Sequence, residues 1–241
     1  MTPRQSAWGA VAGTTISACA LAYAQVALPA QTLLSDYALV SGGLVPVLVG
    51  MLALAGACLS LAYGLAASDP VRTAATRVLL LAGAGGLMMS AIFPTDPSAI
   101  ASLSGEIHRW AAAVVFTSLP VAGWTLARGR ATVGRTAPRW NAVRAMSVTS
   151  AVTLAVYLAA HPATITSPLI GGAAYYGLLE RGVVLAEMVL LIFMALAAVE
   201  RRPSVRTSAS PAGGGAEPAR AGRPGHPERP GHPERPERLA A

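Results

Sequence analysis

Lysine is absent from this 241-residue chain, and charge of any kind is scarce: only 12% of residues are Asp, Glu, Lys or Arg, whereas 54% are hydrophobic. Soluble domains carry about a quarter charged residues. With a mean hydropathy of +0.52, too little polar material remains to cover a water-facing surface, which excludes an ordinary soluble domain. Cysteine is nearly absent as well. Cys19 and Cys58 form no metal-binding spacing and both fall in apolar stretches, so they read as small apolar fillers. No Gly-x-Ser-x-Gly elbow, Walker loop or dinucleotide fingerprint occurs, so no standard enzyme class is marked.

What is present is a series of long apolar runs. Between Arg4 and Asp69 the chain carries one charged side chain, Asp36. A run of about 20 apolar residues is long enough to cross a bilayer, and hydrocarbon does not hydrate a stray charge. Asp36 therefore marks a loop between two crossings. The same reading gives six spans, at about 8–28, 42–66, 74–92, 107–127, 143–160 and 177–199. The expectation is an all-α polytopic bundle of six transmembrane helices over residues 1–200. Small residues such as Gly83-Ala84-Gly85-Gly86 permit close helix approach in lipid. Ile16-Ser17-Ala18-Cys19 resembles a lipoprotein cleavage box, but the apolar run continues to Leu28, so an uncleaved first span is expected.

The net charge of +7 comes from arginine alone. A pI of 10.2 suggests nucleic acid, but the arginines sit beside the spans and in the tail, where topology explains them. Arg72 and Arg77 follow the second span, Arg128, Arg130, Arg135, Arg139 and Arg144 follow the fourth, and Arg201 and Arg202 follow the sixth. The alternate loops at 29–41, 93–106 and 161–180 nearly lack basic residues. The positive-inside bias then places both termini in the cytoplasm. Arginine-only usage fits a GC-rich bacterial genome, and the expected location is a bacterial plasma membrane. Trp110 and Trp124, with Tyr23, Tyr157, Tyr175 and Tyr176, suit interfacial aromatic belts. From 201 to 241 the chain turns to Pro, Gly, Ser, Arg and Glu, with the tandem hexapeptide Gly225–Pro230 and Gly231–Pro236. Such a tail is expected to be disordered and solvated, its His226 and His232 included.

The ionisable residues Asp36, Asp96, Glu106, His108, Arg109, His161, Glu180 and Arg181 all fall in one set of alternate loops or at the adjoining span ends. Glu187 lies seven residues beyond Glu180, two helical turns away on the same face and about 10 Å deeper. A charged group within a span is costly and faces a cavity or a partner. Each residue also has a plainer reading. Asp36 can cap a helix, Asp96 can make a turn among prolines, and Arg109 and Arg181 can neutralise Glu106 and Glu180. Together, in one layer, they suggest a shallow polar pocket opening outward between the helices.

Four segments carry a family resemblance. Gln31-Thr32-Leu33-Leu34-Ser35-Asp36-Tyr37-Ala38 precedes the second span, and Phe93-Pro94-x-Asp96 follows the third. Gly105-x-x-His108 opens the fourth, and Gly177-Leu178-Leu179-Glu180-Arg181 opens the sixth. In this order and at these places they resemble the bacterial membrane family known as domain of unknown function 998, over about residues 5–200. The resemblance implies a multi-span protein, commonly of six helices, and highlights Ser35, Asp36, Asp96, His108, Glu180 and Arg181. It supplies no reaction. Glu187 and His161 stand outside the pattern.

Three functions follow as expectations. The first is a non-enzymatic protein that binds a lipid headgroup or small amphiphile in the pocket, with Ser35, Asp36, Asp96, His108, Arg109, Glu180 and Arg181 as contacts. Asp36 and Arg181 are its foremost charged contacts. The second is a metal-assisted hydrolase of lipid-like substrates, with His108, His161 and Asp96 as ligands and Glu180 as base. The third is a proton-coupled carrier that titrates Glu187. Neither a cofactor nor nucleic acid is expected, and membrane lipids are the expected partners.

Overall fold

A computed structural model describes residues 1–97, 101–128, 130, 134, 137–161, 165–170 and 172–199. The expected disordered tail at 201–241 lies outside the described residues. The fold is all-α: α1 (Pro3–Ala27), α2 (Leu44–Ser68), α3 (Ala74–Ile92), α4 (Leu103–Ala127), α5 (Ala137–Ala159), the short α6 (Ser167–Ile170) and α7 (Gly172–Val199), with a 3-10 turn at Ser35–Leu39. Among the described residues, six helices are long and apolar enough to cross a membrane.

The third span falls where the apolar run places it, but α1, α4, α5 and α7 begin four to six residues earlier than expected. Counting apolar residues misses the polar turn that starts a helix. At α1, Thr2 and Gln5 form a reciprocal capping box with Pro3 in the first turn, a strong start signal lying before the apolar run. At α4, the Ser102 hydroxyl accepts from the Gly105 N–H at 3.2 Å, so the helix starts at Leu103.

Successive helices pack side by side, and α7 closes the bundle by touching α1, α2, α4 and α5. Gly83 and Gly86 bring α3 against α4, facing Ser118 and Ala111 respectively, whereas Gly85 faces open space. The interior is not uniform. In the half of the bundle near the α2–α3 and α4–α5 connections, Leu61, Leu65, Leu80, Leu126, Val143 and Met194 pack as one continuous core. There, Arg144 donates to the Ala127 and Arg130 carbonyls at 2.8 Å each, satisfying the end of α4. The opposite half, which holds the loops after α1, α3 and α5, is hollow. Around both halves large apolar side chains face outward, Leu178 (68% exposed) and Leu185 (62%) on α7 among them, as lipid contact requires.

Candidate functional site

Two latches build the rim of the hollow half, and each joins two of the motif segments. The first joins the α1–α2 loop to α7. The Leu34 N–H donates to Glu180 Oε2 at 2.7 Å. The Arg181 guanidinium donates to the Gln31 and Thr32 carbonyls and to Gln25 Oε1, each at 2.8 Å, and to its own Gly177 carbonyl at 2.7 Å. Gly177 is required because a Cβ there would strike the Thr32 carbonyl. Asp36 Oδ2 accepts from the Leu33 N–H, three residues earlier, at 3.1 Å, which ties down the turn into Ser35–Leu39. Beneath this turn Tyr37 is fully buried with Ala24 and Val47.

The second latch joins α3 to α4. His108 Nδ1 lies 2.9 Å from the Phe93 carbonyl and 3.2 Å from that of Ser90. Both partners can only accept, so Nδ1 donates and satisfies the open end of α3. Asp96 accepts from the Ser102 N–H at 2.9 Å and from the Ser102 hydroxyl at 2.5 Å. These hydrogen bonds hold the Asp96 carboxyl below its ordinary range, with Arg109 adding a smaller push the same way. A Cβ at Gly105 would collide with that carboxylate. Arg109 pairs with Glu106 at 2.5 Å, and both side chains are about half exposed.

Between the latches lies a cavity of about 970 Å³, bounded by residues of α1, α2, α3, α4, α5, α7 and the two loops. It collects the expected residues Ser35, Asp36, Asp96, His108, Arg109, His161, Glu180 and Glu187. Arg181 does not line it; its donors are turned to the loop it holds. Among the described residues no three His, Cys, Asp or Glu side chains are grouped to hold a metal ion, so His108, His161 and Asp96 share a cavity without forming a ligand set.

One wall of the cavity is aromatic, which no sequence motif marks. Tyr157 and Tyr176 stack with centroids 4.7 Å apart, and the Tyr176 hydroxyl donates to that of Tyr157 at 2.7 Å. Phe116 and His161 meet this pair edge-on, and all four line the cavity. Of the tyrosines assigned to aromatic belts, Tyr23 and Tyr175 are well exposed, but Tyr157 and Tyr176 turn inward. Helical spacing held the signal: on α7, Tyr176, Glu180 and Glu187 share one face, and Tyr175 does not.

Below the rim the cavity has apolar walls, Leu21, Leu54, Leu87, Val115 and Val184 among them. Along α7 it runs from Tyr176 to Glu187, about 16 Å of helix, and no residue of the arginine-rich end lines it. Ala113 and Thr117 on α4 and Leu158 on α5 line it and are also exposed. The cavity therefore reaches the apolar flank between those helices as well as the rim.

These features define a class, a multi-pass membrane protein with six apolar helices. A family model described as a protein of unknown function, DUF998, matches residues 7–197, and the chain belongs to that family. No curated protein and no solved structure matches.

Proposed function

We propose that this protein binds a single amphiphile drawn from the surrounding bilayer, holding its polar group at the rim and its chain in the apolar shaft. The carrying observation is the cavity itself, about 970 Å³ in all, whose lining combines polar residues from three separate loops with apolar side chains of the helices. That size is at the upper end for small-molecule sites, which are mostly apolar with a few placed polar groups. The exposed residues between α4 and α5 support entry from the side. Asp36, Asp96 and Glu180 outnumber Arg109, which already pairs with Glu106, so the favoured headgroup is rich in hydroxyl or ammonium donors. The arginine bias supports a rim facing away from the cytoplasm of a bacterial cell, with both termini inside.

The cavity favours this reading over the other two. Among the described residues no ligand set is grouped for a hydrolase, and a carrier needs access to the arginine-rich end, where no residue lines the cavity. The test is lipid analysis by native mass spectrometry of the protein purified in mild detergent. One amphiphile should be enriched, and the enrichment should fall in Asp36→Ala and in Ala112→Phe, which fills the shaft from α4. Nothing enriched, or enrichment unchanged in both variants, overturns the proposal.

A further inference from the structure

Most hydroxyls in the spans satisfy themselves on their own helix. Thr14 donates to the Ala10 carbonyl at 2.8 Å, Ser118 to Val115 at 3.2 Å and Ser147 to Val143 at 2.8 Å. Five buried side-chain atoms among the described residues have no partner: Ser17 Oγ, Arg77 Nε, Ser90 Oγ, Ser150 Oγ and Glu187 Oε1. Three of the five, on Ser17, Ser90 and Glu187, belong to residues that line the one cavity. Ser17 is 0% exposed and Glu187 2%. A polar group in a dry span is costly unless something satisfies it, and Glu187 Oε1 has no hydrogen-bond partner on a neighbouring helix. Apolar side chains such as Leu54, Leu87 and Val184 line the cavity with it, and the buried Cys58 thiol lies near enough to feel its charge.

The cavity thus has polar groups beyond its rim: Glu187 on α7 and Ser17 on α1 both line it, each buried and with an unpartnered oxygen, and we refer to them as its floor. Resting on the amphiphile reading above, we propose that the bound molecule is polar at both ends, with a hydroxyl or amine on its buried end that donates to Glu187 Oε1. Ser17 Oγ is the second contact there. A lipid tail ending in a methyl group would leave the Glu187 oxygen unmatched against hydrocarbon. A hydroxyl or amine supplies the missing donor, and Ser17, which both donates and accepts, can satisfy the same group from the other side. The ligand class is a long-chain alcohol or amine that also carries a polar headgroup, its two ends separated by at least the rise from Glu180 to Glu187, about 10 Å.

The experiment uses the full chain in lipid nanodiscs and two probes, an α,ω-alkanediol whose hydroxyls lie about 10 Å apart and the alkanol of equal chain length. Ligand-dependent rise of the thermal midpoint reads affinity for each. Replacing Glu187 by Leu conserves bulk and removes the unmatched oxygen. In Glu187→Leu the diol affinity should fall at least about tenfold, as expected for a lost hydrogen bond to a charged or strongly polar group, with the alkanol unaffected. Ser17→Ala should give a smaller loss in the same direction, and it carries the comparison if Glu187→Leu does not fold. Equal behaviour of the two probes overturns the proposal. If both are insensitive, no donor meets the floor; if both are sensitive, a single headgroup sits there. In the first case the amphiphile reading survives; in the second the headgroup lies at the floor, which overturns that reading's placement of it at the rim. Failure of both probes to bind the wild type overturns the two readings together.

Discussion

Removing the Arg181 guanidinium should free the α1–α2 loop from α7 while leaving the bundle assembled. Three of its four hydrogen bonds cross to that loop or to α1, reaching Gln25, Gln31 and Thr32 at 2.8 Å each, and the fourth stays within α7. A hydrogen bond to a charged group contributes about 1.5–3 kcal/mol when protected, and exposure weakens it. The Gln31 contact is partly buried and the other two crossing contacts are exposed, so we take one near full value and two at a fraction. Arg181→Met then costs the latch about 2–4 kcal/mol, which corresponds to about 30- to 1000-fold more frequent local opening. Arg181→Lys should recover only part of this, because a single ammonium cannot span acceptors set around a planar fork. Gly177→Ala should weaken the same latch by pushing on the Thr32 carbonyl. Hydrogen exchange gives the readout: the Leu34 amide, bonded to Glu180, should exchange faster in all three variants, while amides in the packed half, around Leu61 and Leu191, keep their protection. Unchanged exchange at Leu34 in Arg181→Met would refute the latch. Equal acceleration throughout would show that Arg181 supports the whole bundle and not the loop.

Two further outcomes follow from the second latch. His108→Ala should lower stability by about 1–3 kcal/mol, the cost of unsatisfied buried acceptors, by stranding the Phe93 and Ser90 carbonyls; elemental analysis should find metal content the same in both proteins, and bound metal lost with His108 would contradict a structural role. Acid should loosen the α3–α4 loop through Asp96. Its carboxyl is depressed in the folded state, so its contribution is fully present above the ordinary carboxylate value of about 4 and is lost as pH falls through the lower folded value. Asp96→Asn should flatten the fall of the thermal midpoint over that acidic range, and parallel wild-type and variant profiles would rule the contribution out.

Spans, loop placement and the polar layer were legible because each rests on one-body chemistry: a charge cannot sit unaided in hydrocarbon, so Asp36, Asp96 and Glu180 had to gather near span ends. Pairing was not legible in the same way. Glu180 and Arg181 are adjacent, and the simplest sequence reading is mutual neutralisation, yet successive helical residues diverge by about 100°. Glu180 thus lines the cavity while Arg181 grips the loop. Tyrosine at a span end suits either the interface or a cavity wall, so sequence alone does not separate these roles for Tyr157 and Tyr176; the face of α7 chooses, and that choice depends on where α5 packs. The unmatched Ser17 hydroxyl left no trace either. Thr14 and Ser17 look alike in sequence, and only the cavity beside Ser17 separates a self-satisfied hydroxyl from an available one.

The division between latch and cavity also says where specificity should be sought. The motif segments that mark the family meet pairwise, Gln31–Asp36 with Gly177–Arg181 and Phe93–Asp96 with Gly105–His108. Each pair closes a loop over the half-bundle that holds the cavity, where the small cluster around Tyr37, Ala24 and Val47 packs beside the latches, so the motifs hold the cavity's rim together. The residues that would read a ligand's shape and polarity, Ser17, Tyr157, Tyr176 and Glu187, lie outside those motifs. A chain with the same latches and different residues at those four positions would keep the fold and change the occupant. Substituting the shaft and floor while leaving the latches intact is therefore the perturbation that separates ligand choice from stability.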